Sequence, residues 1–254
     1  ITELAQNLSN GALTATATKP VDLSGVYGGW DFCGGVPTPW GSHLGGEEYP
    51  TDVRKFEAND AAEVSGFNAY LEYWGYDPTL TDVSAKTASR AAALARTSPY
   101  RVGFPVEIKL TGDSLGSGSF AANTEATKHY AMGRIAWELA YVMPDKKTVY
   151  AGDDSTNKGM FRFVADVPGN LGSGTLYIAK LSQTNPKAIT TEGGGEFNLT
   201  WINLGSASNS EIDNYIKRGI KFSDMFDYVA PQLATRLHAT VDTLPPMQTI
   251  STSA

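Results

Sequence analysis

The side chains able to do chemistry are concentrated in a few places, and the first is Gly28–Glu48, GGWDFCGGVPTPWGSHLGGEE. It holds the single cysteine, Cys33, and ends in the adjacent carboxylates Glu47 and Glu48. A thiol and two acids on Gly-rich, Pro-punctuated backbone between Trp30 and Trp40 read as a binding loop, because such segments carry function when a rigid scaffold holds them. The competing reading is a turn-rich corner whose cysteine is a small buried hydrophobe. A second acid, Glu138, stands between Trp137 and Leu139 in IAWELAYVM. If buried there it must be paired, protonated or metal-bound; otherwise it faces outward from a strand. A third cluster, Asp153-Asp154-Ser155-Thr156-Asn157, is rich in the oxygen donors that a hard cation prefers. It departs from an EF-hand at Lys158 and Ala165, so as a bare motif it is more often a solvated turn than a cation site.

Other motifs lead nowhere further. GDSLG at 112–116 has the form of a nucleophile elbow around Ser114. An elbow needs a helix directly after the serine, and GSGSFAANTEA cannot open one. The histidines are His43, His129 and His238, with no H-E-x-x-H and no C-x-x-C, so a zinc protease or zinc finger is unsupported. What remains is one thiolate with several carboxylates, a donor set that suits iron together with calcium better than zinc.

The elements that must position these groups are mostly strands. RVGFPVEIKL alternates, putting Val102, Phe104, Val106, Ile108 and Leu110 on one face, and Pro105 predicts an edge strand or a bulge. The 24 residues of TGDSLGSGSFAANTEATKHYAMGR have no clear period and read as a long loop. Strand-like runs near 135–143, 147–151 and 159–165 predict an antiparallel meander, and SGTLYIAKL and GEFNLTWINLG supply two more strands. LTATATKPVDL is strand-like until Pro20. Helical spacing of Phe67, Tyr70, Leu71 and Trp74 predicts a packed aromatic stripe, and VSAKTASRAAALARTS a surface helix. SNSEIDNYIKRG has a capping-box start and a Gly219 stop. KFSDMFDYVAPQLATRLHA reads as a second, broken helical segment. Short strands recurring with turn signals suggest a sandwich, barrel or propeller, and no repeat motif selects among them.

Composition sets outer bounds. The 254 residues carry a formal charge of -7 and no Lys/Arg run, against a nucleic-acid surface. No apolar run approaches the roughly 20 residues needed to span a bilayer. One cysteine excludes an internal disulfide framework. A chain opening ITELAQNL without Met is expected to be processed, truncated or part of a longer polypeptide.

FCGGVPTPWGSHLGGEE resembles the N-C-x-G-G-x-T-P-W-G-T-x-L-x-x-E-E signature of the PhoX-type bacterial alkaline phosphatases. KHYAMGRIAWELAYVMPDKKTVYAGDDSTNKGMFRFVAD is similar to that family's L-G-R-F-x-H-E segment and the strand–acidic loop–strand unit after it. TLYIAKL, FNLTWINLG and KFSDMFDY extend the resemblance in patches from about Gly28 to Tyr228. It implies a mainly β, β-propeller-like fold with helical insertions, and an exported, periplasmic or secreted phosphomonoesterase acting on small phosphate esters. It also implies an iron–calcium cluster. By position, Cys33 is then the iron thiolate, and Glu47 or Glu48 a cluster carboxylate. Glu138 is another, Asp153 and Asp154 lie at the calcium side, and Arg134 contacts phosphate or a supporting acid.

The sequence departs from the pattern in several places. Trp137 stands where the family commonly has His, Asp31-Phe32 precedes the cysteine, and Gly45-Gly46 precedes Glu47. The family's later metal- and phosphate-binding segments have no counterpart. At roughly 40–50 residues per blade, residues 1–254 are expected to form a single domain that is one portion of a larger propeller. A missing segment or another chain would complete it. The alternatives are a non-catalytic, calcium-stabilised extracellular propeller or binding protein, and a metal-dependent phosphodiesterase or lactonase.

Overall fold

Alternating small and β-branched residues in LTATAT form the second strand of an N-terminal hairpin. Strand β1 (Thr2–Gln6) pairs antiparallel with β2 (Leu13–Thr18) through a turn closed by Asn7, whose Oδ1 accepts the Ser9 N–H at 2.9 Å. The computed structural model describes residues 1–112, 123–154, 158–185, 195–229 and 249–251. Ser114 of the GDSLG motif, residues 155–157 and all of APQLATRLHA, His238 included, lie outside them.

The cysteine segment is a hairpin and not an irregular loop. Strand β3 (Phe32–Pro37) turns at Thr38–Ser42 into β4 (His43–Glu47), with Thr38 Oγ1 and Ser42 Oγ 2.7 Å apart in the turn. The sheet runs β3-β4-β5-β6, all antiparallel, with β5 Pro105–Leu110 and β6 Thr124–Lys128. Strand β5 is interior, contrary to the edge position that Pro105 suggested. The proline is its first residue, where a missing N–H is tolerated, and its carbonyl accepts from His129 N at 2.8 Å. Strand β6 lies within the stretch read as a long loop, because TEATK carries no alternation strong enough to mark it.

Between β4 and β5 lie α1 (Val53–Glu57), α2 (Ala61–Gly66), α3 (Asn68–Tyr73) and α4 (Val83–Leu94). Asp52, Asp60 and Asp82 cap α1, α2 and α4, each carboxylate accepting an N–H of the first turn; one such cap contributes about 1 kcal/mol. The aromatic stripe is core, as its spacing suggested. Phe67 and Leu71 are fully buried beside Tyr70, Tyr76 and Val102. Phe67 packs against Trp30, Phe56 and Tyr70 with ring centroids 5.8, 5.5 and 5.2 Å apart.

The predicted meander is a five-stranded antiparallel sheet. Its strands are β7 (Trp137–Val142), β8 (Thr148–Asp153), β9 (Met160–Val167), β10 (Asn170–Asn185) and β11 (Glu196–Ser208), paired in that order. Trp137, Ala140, Val142, Val149, Ala151, Phe161 and Phe163 make its buried face, joined by Leu44 of the other sheet. Helix α5 (Asn209–Lys217) follows with the capping box Ser208–Glu211 and stops before Gly219, whose φ is +76°. KFSDMFDY forms a 3-10 turn at Phe222–Asp224 and then β12 (Asp227–Val229), paired with β13 (Thr249–Ser251), where a helix was expected. The fold is mainly β, and the described sheets do not close a propeller ring.

Two glycines set how the sheets meet. A Cβ on Gly34 would lie 2.6 Å from the Glu138 carbonyl oxygen, and one on Gly46 only 2.4 Å from that of Trp137. The β3–β4 hairpin therefore lies with its backbone directly on β7, an approach only glycine permits. That contact carries Cys33 and Glu48 to the start of the meander, where Glu138 and Asp154 are.

Candidate metal centre

Four of the sequence-derived candidates meet where the two sheets touch. The exposed Cys33 thiol on β3 lies beside the Glu48 carboxylate just beyond β4. Glu48 in turn contacts Asp154, which follows β8, and Glu138 on β7 lies close enough to act on the Cys33 thiol. The order of contacts is thus Glu138, Cys33, Glu48, Asp154, drawn from both sheets. Glu138 is exposed and occupies a bulge between Trp137 and Leu139. Outward-facing was one of its two readings, and its charge still reaches the thiol.

The electrostatics are those of crowded negative groups. The Glu48 hydrogen bond, followed by burial and the charges of Glu48 and Glu138, pushes the Cys33 thiol up. Burial and the neighbouring Asp154 push the Glu48 carboxyl up, against hydrogen bonds from Cys33 and Tyr49. Groups held in this way gain from a cation that removes their mutual repulsion. The donor types, one sulfur and three carboxylates, fit the iron and calcium implied by the sequence. Among the described residues no group of three or more His, Cys, Asp or Glu side chains is placed to hold a metal ion.

Asp153, beside Asp154, has one oxygen committed: its Oδ1 accepts the Ala136 N–H at 2.9 Å, and burial raises its pKa against that bond. Asp154 N donates to the Ala136 carbonyl at 3.0 Å. These two bonds fasten the end of β8 to the approach of β7 and fix where Asp154 begins.

Glu47 and Arg134 lie elsewhere. Glu47 is fully buried and its carboxylate takes four protein donors. Oε1 accepts from Trp30 N at 3.0 Å and Lys128 Nζ at 2.8 Å; Oε2 accepts from Gly103 N at 2.9 Å and Phe104 N at 3.1 Å. Glu47 is buried where the Trp30, Gly103–Phe104 and Lys128 segments cover the end of β4, whereas Glu48 one residue on is only half-buried, a distinction that two adjacent acids in a motif do not display. Burial pushes Glu47 up and Lys128 down, and their attraction opposes both shifts. Arg134 Nη2 donates to the carbonyls of Thr51 at 2.7 Å and Pro99 at 3.0 Å, holding the helical insertion against β7. Trp137, in the position where histidine was expected, is a core residue with Nε1 bonded to the Gly133 carbonyl at 3.0 Å.

Two further features were not singled out from the sequence. Tyr49 sits at φ +44° and its hydroxyl donates to Asp154 Oδ2. Glu107 on β5 anchors a polar network behind the hairpin: Oε1 accepts from Trp40 Nε1 at 2.6 Å and from Ser42 Oγ, and Oε2 meets His129 Nε2 at 2.8 Å. Burial disfavours the Glu107 charge, but the bonds from His129, Ser42 and Trp40 outweigh it and hold the carboxyl down to about 2. Its alternation opposite Val106 and Ile108 was the available hint.

No curated protein matches the chain significantly. A solved structure, Pseudomonas fluorescens PhoX in complex with vanadate, a transition state analogue, is similar at 22% identity and a TM-score of 0.38. The likeness covers 70% of this chain and 30% of that one, so the chain spans less than a third of that protein. The family profile described as Alkaline phosphatase PhoX matches residues 9–232. Matched over nearly all of its length, the chain belongs to the PhoX alkaline phosphatase family.

Proposed function

We propose that the chain contributes the cysteine-and-carboxylate part of a metal-dependent hydrolase of phosphate monoesters. The observation that carries the reading is the contact of Cys33, Glu48 and Asp154 across two sheets, with Glu138 beside them. Cys33 and Glu48 would hold iron, and Glu138, Asp154 and the second carboxylate oxygen of Asp153 would hold calcium. Bound there, these cations would supply Lewis-acid neutralisation of the phosphoryl oxygens and an activated oxygen nucleophile. The chain's own residues bind and orient. Glu48 presents a carboxylate next to the thiol, and Gly34 and Gly46 set the spacing. Glu47 is not assigned a ligand role, because its oxygens are saturated by Lys128 and three backbone donors. Arg134 is assigned to the scaffold and not to phosphate, since its Nη2 holds two carbonyls. Family membership further supports an exported, periplasmic or secreted location.

The test is hydrolysis of p-nitrophenyl phosphate at alkaline pH by protein loaded with iron and calcium. Bis(p-nitrophenyl) phosphate and a lactone serve as competing substrates. Turnover of the monoester that is lost in Glu48→Gln supports the reading. Preference for the diester or lactone would move the substrate class.

A second reading is a calcium-stabilised, non-catalytic domain. The lack of a metal-holding group of three among the described residues favours it. Protein that gains thermal stability from calcium yet leaves every ester intact would establish it.

A further inference from the structure

We infer that the outer edge of β11 docks the same edge of a second copy of this chain, the two strands pairing antiparallel about a two-fold axis at Leu199. Among the described residues β11 pairs with β10 alone, which leaves its other backbone edge without a ladder. Natural edge strands are blunted by lysine, proline or a bulge. From Phe197 to Asn203 this one has none of them. The strand's single charge is Glu196 at its start, and its register on β10 is unbroken through Asn203. The other edge strand of the sheet, β7, lies against the β3–β4 hairpin through Gly34 and Gly46. An isologous pairing through one edge closes at two chains.

The order of side chains along the edge selects its own copy. Phe197-Asn198-Leu199-Thr200-Trp201 reads aromatic, polar, leucine, polar, aromatic in either direction. With the axis at Leu199, an antiparallel copy sets Leu199 against Leu199, Phe197 against Trp201 and Asn198 against Thr200. Directly opposed residues share a face, so apolar meets apolar and polar meets polar. An axis at Thr200 would instead set Phe197 against Asn203 and Asn198 against Ile202. None of the five is charged, so no like-charge contact arises at the seam. The apolar row is already in place. Phe197 and Leu199 are 46% and 44% exposed, and Leu181, paired with Leu199, is 56% exposed. Trp201 is held by Tyr150, ring centroids 5.9 Å apart, and by the Arg162 guanidinium 4.7 Å from its ring. A seam one strand long is at the small end of interface size, so the dimer is weak and forms with concentration.

Sedimentation velocity of the wild-type chain, from low micromolar to submillimolar, should show a reversible shift from monomer to dimer. Leu199→Lys opposes two ammonium groups on the axis and should leave monomer at every concentration, with the urea midpoint of dilute protein unchanged. Register is read by cross-linking in a Cys33→Ser background. Opposed residues of antiparallel strands have Cα atoms about 4.5–5.5 Å apart, within disulfide reach, so Leu199→Cys should give a covalent dimer on diamide oxidation. Leu181→Cys lies one strand further in on each copy, about 14 Å from its counterpart, and should not. A wild type that stays monomeric, a Leu199→Lys dimer, species larger than the dimer, or equal cross-linking through Leu181→Cys would each overturn the inference.

Discussion

Replacing Lys128 with Met tests the interior anion on which β4, the Gly103–Phe104 backbone and the Trp30 segment converge. The ammonium lies 2.8 Å from Glu47 Oε1, with the two side chains 1% and 0% exposed. It also donates to the carbonyls of Gly28 at 3.2 Å and Arg101 at 2.9 Å. At an effective dielectric of about 20 the ion pair alone is worth about 6 kcal/mol of attraction. Avoided desolvation of the ammonium offsets part of this. Removing one partner of a buried pair costs about 3–5 kcal/mol, because the stranded carboxylate remains. Urea unfolding of wild type and Lys128→Met, followed by tryptophan fluorescence from pH 4 to 8, measures it. The pH dependence has a definite sign. Without Lys128, the folded-state pKa of Glu47 is raised further above its unfolded value. The Glu47 penalty is therefore absent below the unfolded pKa and grows as pH rises through the folded one. The Lys128→Met deficit should thus be smallest at the acid end. A deficit under about 1 kcal/mol, or one independent of pH, would refute the role assigned to the pair.

Gly46→Ala should lose about 3 kcal/mol or more, since its Cβ would meet the Trp137 carbonyl oxygen at 2.4 Å; Gly152→Ala, with no atom within 4 Å, should be neutral in the same thermal melts. Glu107 has a folded pKa of about 2 against an ordinary 4.5, so its stabilisation is full above pH 4.5 and is lost as pH falls toward 2. The shift corresponds to about 3 kcal/mol, and the stability difference between wild type and Glu107→Gln should close over that window in acid titrations of the unfolding midpoint. Phe67→Ala removes the buried centre of the aromatic cluster and should lose about 3–5 kcal/mol in urea; a loss under 1 kcal/mol would show that the helical insertion is not packed on this ring.

The meander was readable because its strands alternate and its turns are marked by Pro144-Asp145 and by the polar residues that open the 153–159 loop. The α3 stripe and the Ser208 capping box were equally legible, since helical spacing and caps are local properties. What eluded the sequence was long-range. The FCGGVP segment reads as loop by composition, yet its Gly34, with Gly46 of β4, lets the hairpin lie on β7. Pro105 signals an edge only to a reader who does not know that β6 pairs beyond it. The site was half legible. Cys33, Glu48, Glu138 and Asp154 were named from residue type and resemblance. Which of Glu47 and Glu48 is buried depends on the segments that cover the end of β4, and Lys128, the partner that settles it, is 81 residues away. Tyr49 gives no signal at all, because its significance is a backbone angle and a contact with a residue 105 positions on.

The central claim is that Cys33 and the acids around it hold metal. Elemental analysis of the purified protein, without added metals and beside Cys33→Ala, tests it directly. The account predicts iron and calcium in the wild type, with iron lost and the unfolding midpoint in chelator unchanged in the variant. Equal iron in the two proteins, or none in either after loading, would contradict it.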